Sequence, residues 1–197
     1  MTASESPSAA TEVVESAAWT GRDSAWIAAI GLAGLALRLA AAWQYAGHPL
    51  GQFPWVDEGA YYLRAAEIRA GQWLPAGPFY QDPLFPYVLA GLMRLVGTPI
   101  PALRVALAGL GALTPALVYA AARIGLGRAE AIVAGLLAAS YGPLVFTDGL
   151  LEKEGIGALI AAGALVLTAL ALTPTRRRGA WIIAAAGAAW GLLALVR

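Results

Sequence analysis

The sequence predicts an all-α protein that crosses a membrane several times, and three observations carry that reading. Hydrophobic residues make up 59% of the chain and charged residues only 13%, far below the roughly 25% charged share of a soluble domain. Mean hydropathy is +0.66, and several apolar runs reach the ~20 residues a helix needs to cross a bilayer. The arginines fall into alternate connecting loops, as they do in multi-pass proteins. These features predict about five spans, with two juxtamembrane interfacial helices in the first outer loop.

Residues 1–24 are polar, small and partly acidic, without the basic start and early apolar core of a signal peptide. They predict a disordered cytoplasmic tail. The first span follows at about 25–45 and contains Arg38. In DEGAYYLRAAEIRAG, Tyr61, Tyr62, Ala65, Ala66 and Ile68 recur at helical spacing, which predicts a surface helix over about 57–70.

The next apolar run, Pro83 to Val96, is short. Its 14 residues would extend about 21 Å as a helix, less than the roughly 30 Å hydrocarbon core. It is expected to lie along the membrane rather than cross it. Four further spans are expected at about 101–121, 129–147, 155–172 and 180–196. With Pro83–Val96 not spanning, the inner loops hold Arg22, then Arg123 and Arg128, then Arg176, Arg177 and Arg178. If it spanned, the later arginines would move outside, against the positive-inside rule. The first arrangement also puts Asp57 and Glu58 on the same side as Asp148, Glu152 and Glu154.

Composition excludes several functions. A net charge of +1 argues against nucleic acid and against a strongly anionic partner. The absence of Cys excludes disulfides and thiolate metal sites. There is no Asn, and Lys153 is the single lysine among thirteen basic residues. This bias points to a GC-rich bacterial genome, and hence to a multi-pass protein of the inner (cell) membrane with a cytoplasmic N-terminus. No Walker loop, dinucleotide fingerprint, nucleophile elbow or zinc-protease motif is present.

Three groups carry candidate chemistry. Asp57 and Glu58, followed by Tyr61 and Tyr62, can supply a general base for a hydroxyl or ligands for a hard cation. Equally, acids suit the first turn of a helix as caps and dipole partners. In TDGLLEKEG, Asp148 and Glu152 share a face if the segment is helical, and Lys153 between two glutamates suits a phosphate. A solvated hairpin between spans would carry such charges too. Arg38, inside a span, is a functional candidate by position, able to neutralise an acid or a lipid phosphate, or else to snorkel to the headgroups. Asp82 reads as a helix cap, His48 as a solvated loop residue, and Gly187 with Gly191 as a helix-packing pair.

The order of these motifs resembles the GT-C glycosyltransferases. The likeness is nearest to the protein O-mannosyltransferase and aminoarabinose-transferase-like branch, of the family 39 type. It rests on the Arg-containing first span GLAGLALRLAAAW, the acidic pair with Tyr in VDEGAYYLRAAEIRAG, and the Pro-rich QDPLFPYVLAGLMRLVG. An Arg-headed span and the acidic FTDGLLEKEG follow. The resemblance implies a sugar donor carried on a polyprenyl phosphate and a lipid, glycan or protein acceptor on the outer face. It implies Asp57 as general base with Glu58 in support, and Asp148 or Glu152 as a second acid. It gives Arg38, Lys153 and Arg197 as phosphate partners and Tyr61 as a substrate contact. It fixes no cofactor and leaves a divalent cation open. Such enzymes have more spans than this chain, so the sequence reads as the N-terminal portion of one. A transporter-like module or a non-catalytic membrane scaffold are the alternatives, although no transporter-type internal repeat is visible.

Overall fold

The computed structural model describes residues 19–79, 81–173 and 179–196. The first eighteen residues of the expected tail, the Arg176–Arg178 cluster and Arg197 lie outside the described residues. Among the described residues every regular element is a helix, and three helices are long and apolar enough to cross a membrane.

The first, α1 (Gly21–Ala46), begins inside the segment expected as tail. Thr20 ends the extended approach, and its backbone N–H donates to Asp23 Oδ2 at 2.8 Å, which caps the helix from the N3 position. A short 3₁₀ turn, Pro49–Gly51, leads to α2 (Asp57–Arg69) and α3 (Leu84–Val96). The second apolar stretch, Ile100–Gly125, comprises α4 (Ile100–Gly111) and α5 (Leu113–Gly125). The interruption at Ala112 has a covalent cause, because Pro115 has no N–H to offer the Gly111 carbonyl.

The expected span at 129–147 is not one helix. It is split into α6 (Arg128–Ser140) and α7 (Gly142–Thr147), with Tyr141 extended between them. Pro143 again explains the break, since it cannot donate to the carbonyl of Ala139. That carbonyl accepts a hydrogen bond from Arg38 Nη1 at 3.4 Å instead. The third long apolar helix is α8 (Lys153–Leu172), and α9 (Ala180–Ala194) is a shorter apolar helix packed against it.

Helix α3 does not cross the bundle. Its first residue, Leu84, donates its backbone N–H to Leu195 O at 3.1 Å, and just beyond its last turn Thr98 O accepts from Tyr62 of α2 at 3.1 Å. Both of its ends therefore lie at the end of the bundle where α2 sits. One apolar cluster holds α2, α3, α4 and the start of α8 together through Tyr61, Ile68, Phe85, Leu89, Met93, Leu103, Leu151 and Ile156. Burying each of the larger side chains contributes about 1.5–3 kcal/mol. A smaller cluster of Ile30, Tyr119, Ala131 and Ala139 joins α1, α5 and α6.

The outward surface of the apolar helices, long and short, is itself apolar. Leu32, Leu137 and Ile183 are each about two-thirds exposed, as helices facing lipid are and helices facing water are not. The chain is a helical membrane protein. Gly187 and Gly191 fall on an open face of α9, where an added Cβ would meet nothing within 4 Å.

Candidate functional site

The two ends of α1 are both charged. Near its start Asp23 is fully buried. Its Oδ1 accepts from Tyr119 at 2.9 Å, from Arg123 Nε at 2.9 Å and from Arg128 Nε at 3.0 Å. Arg123 and Arg128 therefore share one end of the bundle with the start of α1, as the arginine distribution predicts.

At the other end an open cavity of about 690 Å³ is lined by Asp57, Tyr61, Asp82, Glu152, Lys153 and Glu154. Asp57 opens α2 as its first helical residue, and the cap position belongs to Val56. Val56 has φ +45° and ψ −107°, a conformation a β-branched residue avoids. Strain of this kind is found at functional turns, and the residue that follows it, Asp57, lines the cavity. Asp57 is exposed and has no hydrogen-bond partner among the described residues.

Its neighbour Glu58 has the opposite fate. Arg104 of α4 grips it with Nη1 to Oε1 at 2.7 Å and Nη2 to Oε2 at 3.0 Å. Oε1 also accepts the backbone N–H of Leu151 at 2.8 Å. Glu58 is buried, with both oxygens engaged and outside the cavity lining, and it anchors the first turn of α2 to α4.

Arg38 and Asp148 are likewise taken up by each other. Arg38 Nε donates to Asp148 Oδ2 at 2.6 Å, and both side chains are 0% exposed. Arg38 Nη1 adds the Gly34 carbonyl at 3.1 Å. Asp148 is packed so tightly that a Cβ on Gly111 or on Gly155 would fall 2.3 Å from its carboxyl atoms. Neither residue is among those that line the cavity, although both are expected from the sequence to contact substrate. Asp148 follows directly on the short α7, between the Pro143 break and the start of α8. Arg38 does not snorkel, and of its two expected alternatives it takes the acid.

Glu152 and Lys153 do face the cavity. Glu152 is the cap residue of α8. Burial pushes its carboxyl up from the ordinary range, and the nearby charges of Glu154, Glu58 and Asp57 push it further. Lys153 Nζ pairs with Asp82, which also accepts from Tyr61 Oη at 3.2 Å. Partial burial works to raise the Asp82 carboxyl, but the Lys153 hydrogen bond and charge outweigh it and hold the group below the usual carboxylate range. The Tyr61 phenol is pushed up by its own burial and by Asp82, so it stays a neutral donor. Its ring packs edge-on against Phe85, with centroids 4.9 Å apart. Asp82 is thus a cavity residue and not merely a cap, for Pro83 holds the cap position of α3. His48 accepts its own loop's Leu50 N–H at 3.2 Å.

Two residues escaped sequence reasoning. Asp82 gave no signal beyond its place before a proline. Arg104 gave a usable one, since it is an arginine inside an apolar run, as Arg38 is. Among the described residues no three His, Asp or Glu side chains converge to hold a metal ion.

The cavity continues into apolar space. A groove of about 960 Å³ shares Lys153 and Glu154 with it and runs along α8 between α7 and α9. That groove shares Tyr141, Leu144, Ala158 and Ala161 with a wholly apolar recess of about 420 Å³. The charged cavity thereby adjoins, at Lys153 and Glu154, a groove that continues into an apolar recess.

Comparison with known proteins gives one match. No curated protein and no solved structure matches the chain. Residues 77–195 match the family described as dolichyl-phosphate-mannose-protein mannosyltransferase. This segment includes Asp82, Glu152, Lys153 and both apolar grooves, while Asp57 and Glu58 precede it. Spanning more than half of the sequence, the match shows that the chain belongs to the dolichyl-phosphate-mannose-protein mannosyltransferase family.

Proposed function

We propose that the cavity is where a sugar passes from a polyprenyl-phosphate carrier to an acceptor hydroxyl. The observation that carries this reading is a cavity that holds Asp57, without a hydrogen-bond partner among the described residues, and that meets a largely apolar groove at Lys153 and Glu154. An amphiphilic donor needs that sequence of surroundings: hydrocarbon walls for the prenyl chain, a cation for the phosphate, and polar groups for the sugar. The family's description makes mannose the first sugar to test and a protein hydroxyl the first acceptor, with glycan or lipid hydroxyls next.

The chemistry follows from the groups present. The acceptor oxygen attacks the anomeric carbon as the bond from that carbon to the phosphate oxygen breaks. The bonding pair leaves with the polyprenyl phosphate, and the acceptor proton passes to Asp57, a general base at the cavity wall. Lys153 balances the phosphate charge. Glu152, protonated to higher pH than an ordinary glutamate, is placed to hydrogen-bond the departing phosphate. Tyr61 donates toward the cavity from a fixed ring. Arg38, Asp148 and Glu58 act as framework.

The reading places the cavity on the outer face of an inner membrane and the N-terminus in the cytoplasm. The support is the Asp23 end, where Arg123 and Arg128 gather as inner-face arginines do. The test is Asp57→Asn in the protein reconstituted into liposomes with a polyprenyl-phosphate mannose donor. Transfer is expected to be lost while folding and insertion stay normal. Wild-type transfer by that variant would remove Asp57 from the mechanism.

A further inference from the structure

We infer that Arg104 is a positioning residue that sets the geometry between the two halves of the cavity. The inference rests on the reading above, in which Asp57 and Glu152 act on one substrate. Those two carboxylates come from different elements: Asp57 from the first turn of α2, and Glu152 from the segment joining α7 to α8. Nothing in the covalent chain fixes one against the other.

Arg104 joins them. Its fork holds Glu58, the residue after Asp57, at 2.7 and 3.0 Å. The same Nη1 donates to the Gly149 carbonyl at 3.1 Å, in the segment that carries Glu152. Glu58 closes the loop by accepting the Leu151 N–H at 2.8 Å. Above the guanidinium lies the Tyr45 ring, 4.8 Å from its central carbon to the ring centroid, which ties the end of α1 to the same point. One buried cation thus contacts α1, α2 and the segment before α8. The planar fork matters, because a bidentate pair fixes direction as well as distance, and a lysine would supply charge without that geometry.

The test has two arms, and the first needs no activity. The chain has no cysteine, so Leu63→Cys on the exposed face of α2 and Glu154→Cys on the exposed first turn of α8 accept spin labels cleanly. Their distance distribution is measured in liposomes with Arg104 intact, with R104Q and with R104K. A narrow distribution that broadens or shifts in R104Q, and partly in R104K, is the expected result. An unchanged distribution in both variants overturns the inference.

The second arm measures transfer from polyprenyl-phosphate mannose per folded molecule. A reacting group misplaced by about 1 Å can lose 100-fold in rate, so kcat is expected to fall about 100-fold in R104Q with the donor KM little changed. R104K should recover part of the loss, and E58Q combined with R104Q should be no worse than either alone. A purely structural role for Arg104 would lower the folded yield and leave kcat per folded molecule intact, and that outcome also overturns the inference. Absence of transfer in the wild type would sink the proposed reaction instead, leaving the distance arm to decide the clamp.

Discussion

The two ends of α1 carry charges in opposite styles. At the Asp23 end one buried carboxylate meets Tyr119, Arg123 and Arg128, and both of its oxygens accept hydrogen bonds. At the other end four carboxylates, Asp57, Asp82, Glu152 and Glu154, share a cavity with one ammonium, Lys153. The first cluster gathers two guanidiniums and a phenol around one buried carboxylate, and none of these groups lines the cavity of the second. The second keeps negative charge in excess and keeps Asp57 without a partner. Charge buried and saturated builds a protein; charge exposed and unsaturated works on something else.

That contrast breaks most sharply at Asp57. A general base contributes on the order of 10²–10⁴-fold to a rate, so under the proposed mechanism Asp57→Asn should reduce transfer by that much. An exposed residue free of contacts changes stability by about 0.5 kcal/mol or less, so thermal unfolding of the purified variant should match the wild type. A lowered unfolding temperature would mean that Asp57 belongs to the framework, like its neighbour.

Asp23→Ala should do the reverse. Removing one partner from a buried ion pair costs about 3–5 kcal/mol, and here the Asp23 carboxylate that accepts from Tyr119, Arg123 and Arg128 is lost. Stability should drop by that amount in denaturant unfolding, with donor KM unchanged in the molecules that stay folded. A stable Asp23→Ala would show that the cluster is less closed than its geometry indicates.

A smaller effect is expected at Lys153. Charged hydrogen bonds are worth about 1.5–3 kcal/mol, so Lys153→Gln should raise the donor KM about tenfold or more. The test is donor titration with a mannosyl polyprenyl phosphate against the free sugar phosphate, which lacks the tail. If the groove along α8 holds the prenyl chain, the lipid form keeps much of its affinity in the variant and the tailless form loses nearly all of it. Equal losses would separate the groove from the cavity.

Much of this was open to reading in the sequence, and the remainder was hidden for one reason. Hydropathy alone places α1, α4–α5, α8 and α9, because a bilayer sets a minimum length and polarity for each span. The shortness of Pro83–Val96 already marks α3 as too short to cross a bilayer as a single helix. The Tyr141-Gly142-Pro143 break was in the letters too, but an apolar run continues across it and masks the lost hydrogen bond. Pairing was not legible. Arg38 and Asp148 lie 110 residues apart, Lys153 and Asp82 lie 71 apart, and Arg104 and Glu58 lie 46 apart. No local periodicity links such positions, so Glu58 looks as free as Asp57 until α4 is folded against α2.

The finest distinction between the two ends is a titration. Glu152 is more easily protonated in the folded protein than the ordinary glutamate value of 4.5, first through burial and then through Glu154, Glu58 and Asp57. A carboxyl with a raised folded pKa binds more protons folded than unfolded, so its contribution is favourable at low pH and is lost as pH climbs through the raised value. Asp82 has the opposite sign, being held down by Lys153, but it is common to the wild type and to Glu152→Gln and cancels between them. The unfolding temperature of the wild type should therefore decline relative to Glu152→Gln as pH rises above the ordinary glutamate value of 4.5. Parallel curves would show that Glu152 titrates as a solvated surface acid. The cavity's excess negative charge would then be screened by water rather than held in reserve for a phosphate.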